Sequence, residues 1–361
     1  MDSVTQFALG ACVGVAALGH KIGPARAAIA GGVLGTLPDL DVYLAPDDPI
    51  DSFVQHRGWS HSLFVHAALT PLLGEALRRL LQPLRDNRGL AWAAVFLCLS
   101  THALLDAVTI YGTQLFWPIS TDTVSVGALF IIDPLYTLPL LVAMVWALVG
   151  RRWTPRYRMA LTRCLGLSTA YLVWSLIAQQ VISGRAETLL AGKGIAPDRL
   201  IATPTPFNTL FWRAIAVAGD RSFNLYMPVF GGPERATLYA YDRNLRFEPC
   251  PADDPRVAKI ARFSKGFYKL MIQDGEVMVA DLRMGLTPNY AFRFSLGRLQ
   301  DGKIVPGPTR RVEGRGDIDQ DLDWLLANLR GTPAMRLAEA DAIVGPVRLA
   351  AVADAGPKRA C

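Results

Sequence analysis

The stretch LAWAAVFLCLSTHALLDAVTIY, residues 90–111, decides how this chain is read. Its length and apolar character suit a helix crossing a hydrocarbon core of about 30 Å, which takes about 20 residues. Yet it holds His102 and Asp106, four positions apart and therefore on one helix face about one turn from each other. Ionisable groups inside lipid are costly and mark function by default. An intramembrane hydrogen-bonded pair that ties helices together is the competing reading.

Five further hydrophobic elements accompany it, at roughly 4–19, 27–44, 61–77, 128–149 and 160–182. Those at 90–111, 128–149 and 160–182 are long enough to span; the first three are shorter or broken by Gly and polar residues, and read as tilted, interfacial or re-entrant. Hydrophobic residues make up 51% of the 361, and mean hydropathy is +0.25. The expected fold class is a mainly α membrane protein, with four to six hydrophobic helices over residues 1–183 and a smaller β-rich extramembrane C-terminal domain. Met1-Asp2-Ser3 has no basic n-region, so a cleaved signal peptide is not expected.

Loop charges set an orientation. Lys21 and Arg26, then Arg78, Arg79, Arg85 and Arg88, then Arg151, Arg152, Arg156 and Arg158 follow elements one, three and five. The alternate loops are nearly free of cations: residues 45–60 have only Arg57, and residues 112–127 have none. The basic loops are therefore expected in the cytoplasm, in contact with anionic lipid, and the chain after residue 183 in the periplasm of a bacterial inner membrane.

Charge counting of this kind brings the candidate ligands to one face of the membrane. Asp39 and Asp41 end element two, His56 and His61 stand in the next loop, and His102 and Asp106 lie in the outer half of element four. Asp39, His56, His61, His102 and Asp106 are the expected ligands of a divalent ion, zinc foremost, with manganese or iron as alternatives. Asp39 and Asp41 also read as a solvated turn after Pro38. Asp41, with Asp39 as the alternative, is the candidate proton acceptor, and Arg57 a partner for a substrate anion or a carboxylate, being a donor only. Gly58 is expected to take a positive φ and reverse the loop before Ser60 or His61 opens element three. Asp133 lies at the same depth. His66 is expected to pack or hydrogen-bond behind the site, and His20, beside Lys21 at the opposite end, to stand apart from it.

At these residues the chain resembles the bacterial membrane-bound metal-dependent hydrolases, also described as LexA-regulated inner-membrane hydrolases. The resemblance rests on Gly35-Thr36-Leu37-Pro38-Asp39-Leu40-Asp41, His56-Arg57-Gly58-Trp59-Ser60-His61-Ser62-Leu63, Thr101-His102-Ala103-Leu104-Leu105-Asp106, Tyr111 to Pro118 and Ile131-Ile132-Asp133-Pro134-Leu135-Tyr136-Thr137-Leu138-Pro139, within about residues 1–182. It implies a multi-spanning helical protein with a divalent metal held by these Asp and His positions. The His-x-x-x-acid turn is more loosely similar to part of the site in helical zinc-dependent phospholipases C. Relatives often carry Thr-His near the N-terminus where this chain has Thr5-Gln6, so Gln6 either replaces a ligand by hydrogen bonding or leaves one missing.

A metal with an open position acidifies bound water and polarises a phosphoryl or acyl oxygen, so hydrolysis is the expected chemistry. A site near the headgroups suits a phosphoester or lipid-like substrate. The alternative is a non-catalytic metal-binding scaffold or transporter-like protein, but a conduit needs polar residues in the inner half of element four, and Gly89 to Leu99 is almost wholly apolar.

After residue 183 the composition changes. Residues 184–206 read as a linker, with Gly192-Lys193-Gly194 and Thr203-Pro204-Thr205-Pro206 as its signals. Alternating or β-rich runs such as Trp212 to Val217, Ser222 to Phe230, Thr237 to Tyr241, Phe267 to Ile272, Val277 to Leu282 and Tyr290 to Leu296 predict a β-rich domain over 207–318, followed by a helical or disordered tail over 319–361. It is expected to act as a lid or substrate reader, or to be a stabilising or partner-binding appendage. Asp317-Ile318-Asp319-Gln320-Asp321 resembles a calcium loop, but Leu322 stands where the turn Gly belongs, so it reads as an acidic helix start. Cys12, Cys98 and Cys164 suit apolar packing, and Cys250 with Cys361 is a candidate disulfide. The formal charge of +6 is explained mainly by the basic loops, and without a nucleic-acid motif no nucleic-acid partner is expected.

Overall fold

In the computed structural model, which describes residues 1–250, 253–300, 303–314 and 316–344, local capping chemistry sets the helix ends. The Asp2 carboxylate accepts the amides of Val4 and Thr5 to open α1 (Ser3–Ile22), and Gly23, at φ 82°, closes it. Pro24 restarts the chain as α2 (Pro24–Thr36), and Pro38 diverts it into a 3-10 segment, Leu37–Leu44. There follow α3 (Pro49–Gln55), α4 (Leu63–Leu80), α5 (Arg88–Val108), α6 (Pro134–Gly150) and α7 (Pro155–Ala191). Each of the six expected hydrophobic elements thus contains a helix.

The chain divides into two compact units: Met1–Ala45, His56–Ile177 and Pro206–Asn208 form the first; Pro46–Gln55, Ala178–Thr205 and the chain from Thr209 form the second. In the first, α1 and α2 meet backbone to backbone. A methyl group added at Gly10 would lie 2.8 Å from Gly35 Cα, and one at Gly14 would lie 2.7 Å from the Ala27 carbonyl oxygen. Small residues spaced by four allow this approach, as they do between helices in membranes. Around the contact, Ala8, Ala11, Cys12 and Val15 of α1 pack with Ala94 of α5 and with Leu140 and Ala143 of α6. Ile29, Val33, Leu97, Val142 and Leu167 remain exposed, apolar faces that suit lipid rather than water.

Among the described residues, four helical segments are long and apolar enough to cross a membrane: Ser3–Ile22, Pro24–Leu44, Arg88–Val108 and Pro155–Ala191. This corrects the reading of lengths. The first two elements qualify, whereas 128–149 yields a helix of only 17 residues, because Asp133 caps Leu135 N at 3.0 Å and Pro134 takes the first helical position.

Among its described residues, the second unit holds two antiparallel four-stranded sheets. The first is a meander of β1 (Arg199–Pro204), β2 (Phe211–Ala218), β3 (Arg221–Pro228) and β4 (Thr237–Asp242). The second runs in the order β10-β9-β6-β5, from β5 (Tyr268–Gln273), β6 (Glu276–Asp281), β9 (Arg293–Gln300) and β10 (Lys303–Arg311). It also holds a two-stranded ribbon, β7 (Gly285–Leu286) with β8 (Asn289–Tyr290), the helices α8 (Pro255–Phe263) and α9 (Ile318–Leu329), α3 and the end of α7. Phe211, Tyr226, Tyr239 and Trp324 form one aromatic core, and Ile215, Val217, Phe267 and Leu282 belong to a second, mainly aliphatic one.

The expected β-rich region is present. The expected linker is not: α7 continues to Ala191, and Thr203 and Pro204 pair with Arg213 and Trp212 in the β1–β2 ladder. Pro204 is tolerated there because β1 is an edge strand. Asp317 caps α9 through Gln320 N at 3.0 Å, as its reading as an acidic helix start requires. The Cys250–Cys361 pairing involves a residue outside those described.

Candidate metal centre

Four of the five expected ligands converge. Asp39, His61, His102 and Asp106 offer ligand atoms that all lie within 4.8 Å of one another. His61 Nε2 stands 3.3 Å from Asp39 Oδ1 and 3.3 Å from Asp106 Oδ2; His102 Nε2 stands 3.3 and 3.4 Å from the same two atoms. The two Nε2 atoms are 3.1 Å apart. His61, His102 and Asp106 are buried, while Asp39 remains partly open.

Three of the four donors are aimed by a neighbour. His102 Nδ1 donates to the Gly35 carbonyl at 2.6 Å, which leaves its Nε2 with a free lone pair. His61 Nδ1 lies 2.9 Å from Ser60 Oγ and 3.7 Å from Asp41 Oδ2, so its Nε2 also faces the centre. Asp106 Oδ1 accepts from Gln6 Nε2 at 2.9 Å and from the Met1 ammonium, and Arg57 Nε lies 3.1 Å from Oδ2. Gln6 therefore takes the hydrogen-bonding role in front of Asp106.

The donor set fits a divalent cation. Asp39 Oδ1 and Asp106 Oδ2 are buried without a hydrogen bond, Arg57 Nε meeting Oδ2 only as an ion-pair partner, and they are the two carboxylate atoms that face both imidazoles. Buried carboxylate oxygens and imidazole lone pairs repel unless something positive lies among them. Two nitrogens and two carboxylate oxygens are a donor set of the kind zinc, manganese or ferrous iron takes.

His56 lies outside this group, contrary to expectation. Its Nδ1 is 2.9 Å from Asp41 Oδ1, and this pairing turns the ring away from ligation. Asp41 is a hub: its Oδ2 accepts Arg57 N at 3.0 Å and Ser60 Oγ at 2.7 Å, closing the base of the His56–His61 loop. Arg57 is a carboxylate partner, buried against Asp106 and 3.3 Å from Thr109 Oγ1, with its guanidinium 5.0 Å from the Tyr111 ring.

The loop reversal also differs from expectation. Arg57, not Gly58, takes the left-handed conformation at φ 60°, held by Arg57 N on Asp41 and by Gln114 N on its carbonyl at 3.0 Å. Gly58 has φ −83° and ψ −124°, and α4 opens at Ser62, whose hydroxyl caps Phe64 N at 3.2 Å. The 111–118 segment acts as a splint: Leu63 N donates to Leu115 O at 3.0 Å, and Ser62 Oγ to Trp117 O.

His66 Nε2 bonds the Ser60 carbonyl at 2.9 Å, behind the loop as expected. Asp133 does not enter the centre, since it caps α6 and accepts from Tyr171 at 2.9 Å. The sequence reading missed the Gly35 carbonyl as the orienter of His102. The Gly10-x-x-x-Gly14 and Gly31-x-x-x-Gly35 spacings were the signal that could have found it, because they press α2 onto α1 where that carbonyl emerges.

A family model described as YdjM inner membrane protein matches residues 1–182. The Escherichia coli (strain K12) protein named Inner membrane protein YbcI is 35% identical over 115 residues, 32% of this chain. The matched segment spans 64% of that relative's length. No solved structure matches the chain.

Proposed function

Since the chain belongs to the YdjM inner membrane protein family, we propose that its first unit is a membrane-embedded metal-dependent hydrolase acting at the periplasmic face on a phosphoester or lipid-like substrate. One observation carries this reading: two buried carboxylate oxygens without a hydrogen bond face two imidazole Nε2 atoms. A divalent ion bound there, zinc first, supplies Lewis acidity toward a phosphoryl or acyl oxygen and acidifies water.

The chain's own groups do the rest. Gly35 O and Ser60 Oγ hold the two imidazoles in register, and Arg57 holds Asp106. Asp41 was expected to take a proton itself, but its oxygens are engaged by His56, Arg57 N and Ser60. The Asp41–His56 pair therefore takes that role: with Nδ1–H on Asp41, His56 accepts and returns a proton at Nε2. The His56 side chain is 24% exposed, and its ring centre is 6.1 Å from that of His61. The periplasmic placement rests on the basic alternate loops, and the lipid-like substrate on a site near the headgroups.

The test is metal content by elemental mass spectrometry on detergent-purified protein, with Asp39→Ala and His102→Ala alongside, followed by turnover of a soluble phosphodiester and its lipid analogue. Near-stoichiometric metal lost in both variants, with preferred turnover of the lipid, supports the reading. Bound metal without turnover of any ester moves the protein to a metal-binding scaffold. Absence of metal from the wild type overturns the site.

A further inference from the structure

The segment that supplies Asp39 and Asp41 is held by its carboxylates and buries little of its apolar surface in the protein. Over Leu37–Leu44 only Pro38 is buried, and Leu40, Val42, Tyr43 and Leu44 are exposed. Its path leads into Pro46–Gln55, which folds with the second unit, and the chain re-enters the first unit at His56. Asp48 caps α3 through Ile50 N and Asp51 N, both at 2.9 Å. Ile50 and Phe53, three apart and so on one face of α3, are buried. The Phe53 ring centre lies 4.7 Å from Phe263, 4.2 Å from Phe292 and 5.4 Å from Phe294, and Asp51 pairs with Lys259.

We infer that Phe53, seated among Phe263, Phe292 and Phe294, is a positioning residue that anchors the loop whose two ends carry Asp41 and His56. This rests on the reading of the centre given above. The physical cause is loop entropy. A free 42–55 loop gains conformational freedom when Asp41 releases His56 and Arg57 N, and fixing its middle in an aromatic core removes most of that gain. Phe53 lies outside the four-residue donor group and acts through the chain, so it is a positioning residue.

The experiment uses the full chain in detergent, comparing wild type with Phe53→Asp, Phe53→Leu and the second-unit control Trp324→Phe, each first shown to keep its helical circular dichroism. Hydrogen exchange of peptides covering 37–44 and 56–62 is read together with metal retention against a chelator. Phe53→Asp is expected to speed exchange in both peptides and to weaken retention about tenfold, with Phe53→Leu and Trp324→Phe near wild type. Wild-type exchange in Phe53→Asp overturns the inference whether or not metal is bound. A wild type without metal overturns the proposed function instead, and the exchange readout still decides the anchor.

Discussion

His102 Nδ1 donates to the carbonyl oxygen of Gly35 across 2.6 Å, and Gly35 itself lies against Gly10. The contact between two helix backbones therefore sets the tautomer of a candidate ligand. Replacing Gly10 with Val must separate α1 from α2, at a cost of about 1–3 kcal/mol by overpacking. We expect a lower thermal midpoint and weaker metal retention together, because Gly35 O and Asp39 move with α2. Equal loss at Gly89→Val, where an added carbon meets nothing, would show that the glycine contact is not the cause.

His56 and His61 are separable. His61→Ala removes a converging donor and is expected to abolish bound metal, whereas His56→Ala leaves the four-residue group intact and should keep it. Under the proposed chemistry His56→Ala then lowers kcat about 10²–10⁴-fold, the usual span for a lost general base. Elemental analysis of the two variants side by side checks the first statement, and turnover of whichever ester the wild type hydrolyses checks the second.

Arg57 is buried with Nε 3.1 Å from Asp106 and Nη1 3.3 Å from Thr109. A lysine keeps the charge but offers no planar fork, so Arg57→Lys should cost about 1–2 kcal/mol. Arg57→Ala leaves Asp106 without its guanidinium partner and should cost about 3 kcal/mol. Thermal melts of the two variants are expected to fall in that order; the reverse order would mean that the side chain is not held by Asp106.

In the second unit, burial lowers the Lys269 ammonium to about 8. The unfolded chain then binds the proton more tightly than the folded one, so the penalty is full below pH 8 and disappears as pH rises toward the ordinary lysine range. Lys269→Met should therefore be more stable than wild type at pH 7, by on the order of 2 kcal/mol, and the gap should narrow between pH 8 and 10. A gap independent of pH would assign the gain to packing alone.

Much of the centre was legible because its chemistry sits in residue types that lipid penalises. His102 and Asp106 in an apolar run, and Asp39 after Pro38, stand out against composition, and helical periodicity alone puts the first two on one face. The six helices and most strands were legible for a similar reason, since hydrophobic period and turn formers are local properties. What sequence could not rank were near neighbours of one type. His56 and His61 stand five residues apart in a polar loop, and only the hydrogen bonds gathered by Asp41 decide that His61 faces the centre while His56 does not. The same carboxylate put the left-handed turn at Arg57 and not at Gly58, because a backbone amide held by a half-buried acid can outweigh glycine's local advantage. Strand β1 and helix α3 were likewise invisible, since β1 completes a sheet begun by distant residues and Phe53 finds its core more than 200 residues along the chain. Local patterning thus determined which segments enter the membrane and which side chains bear the chemistry; long-range contacts, which no local window contains, decided how those side chains face one another.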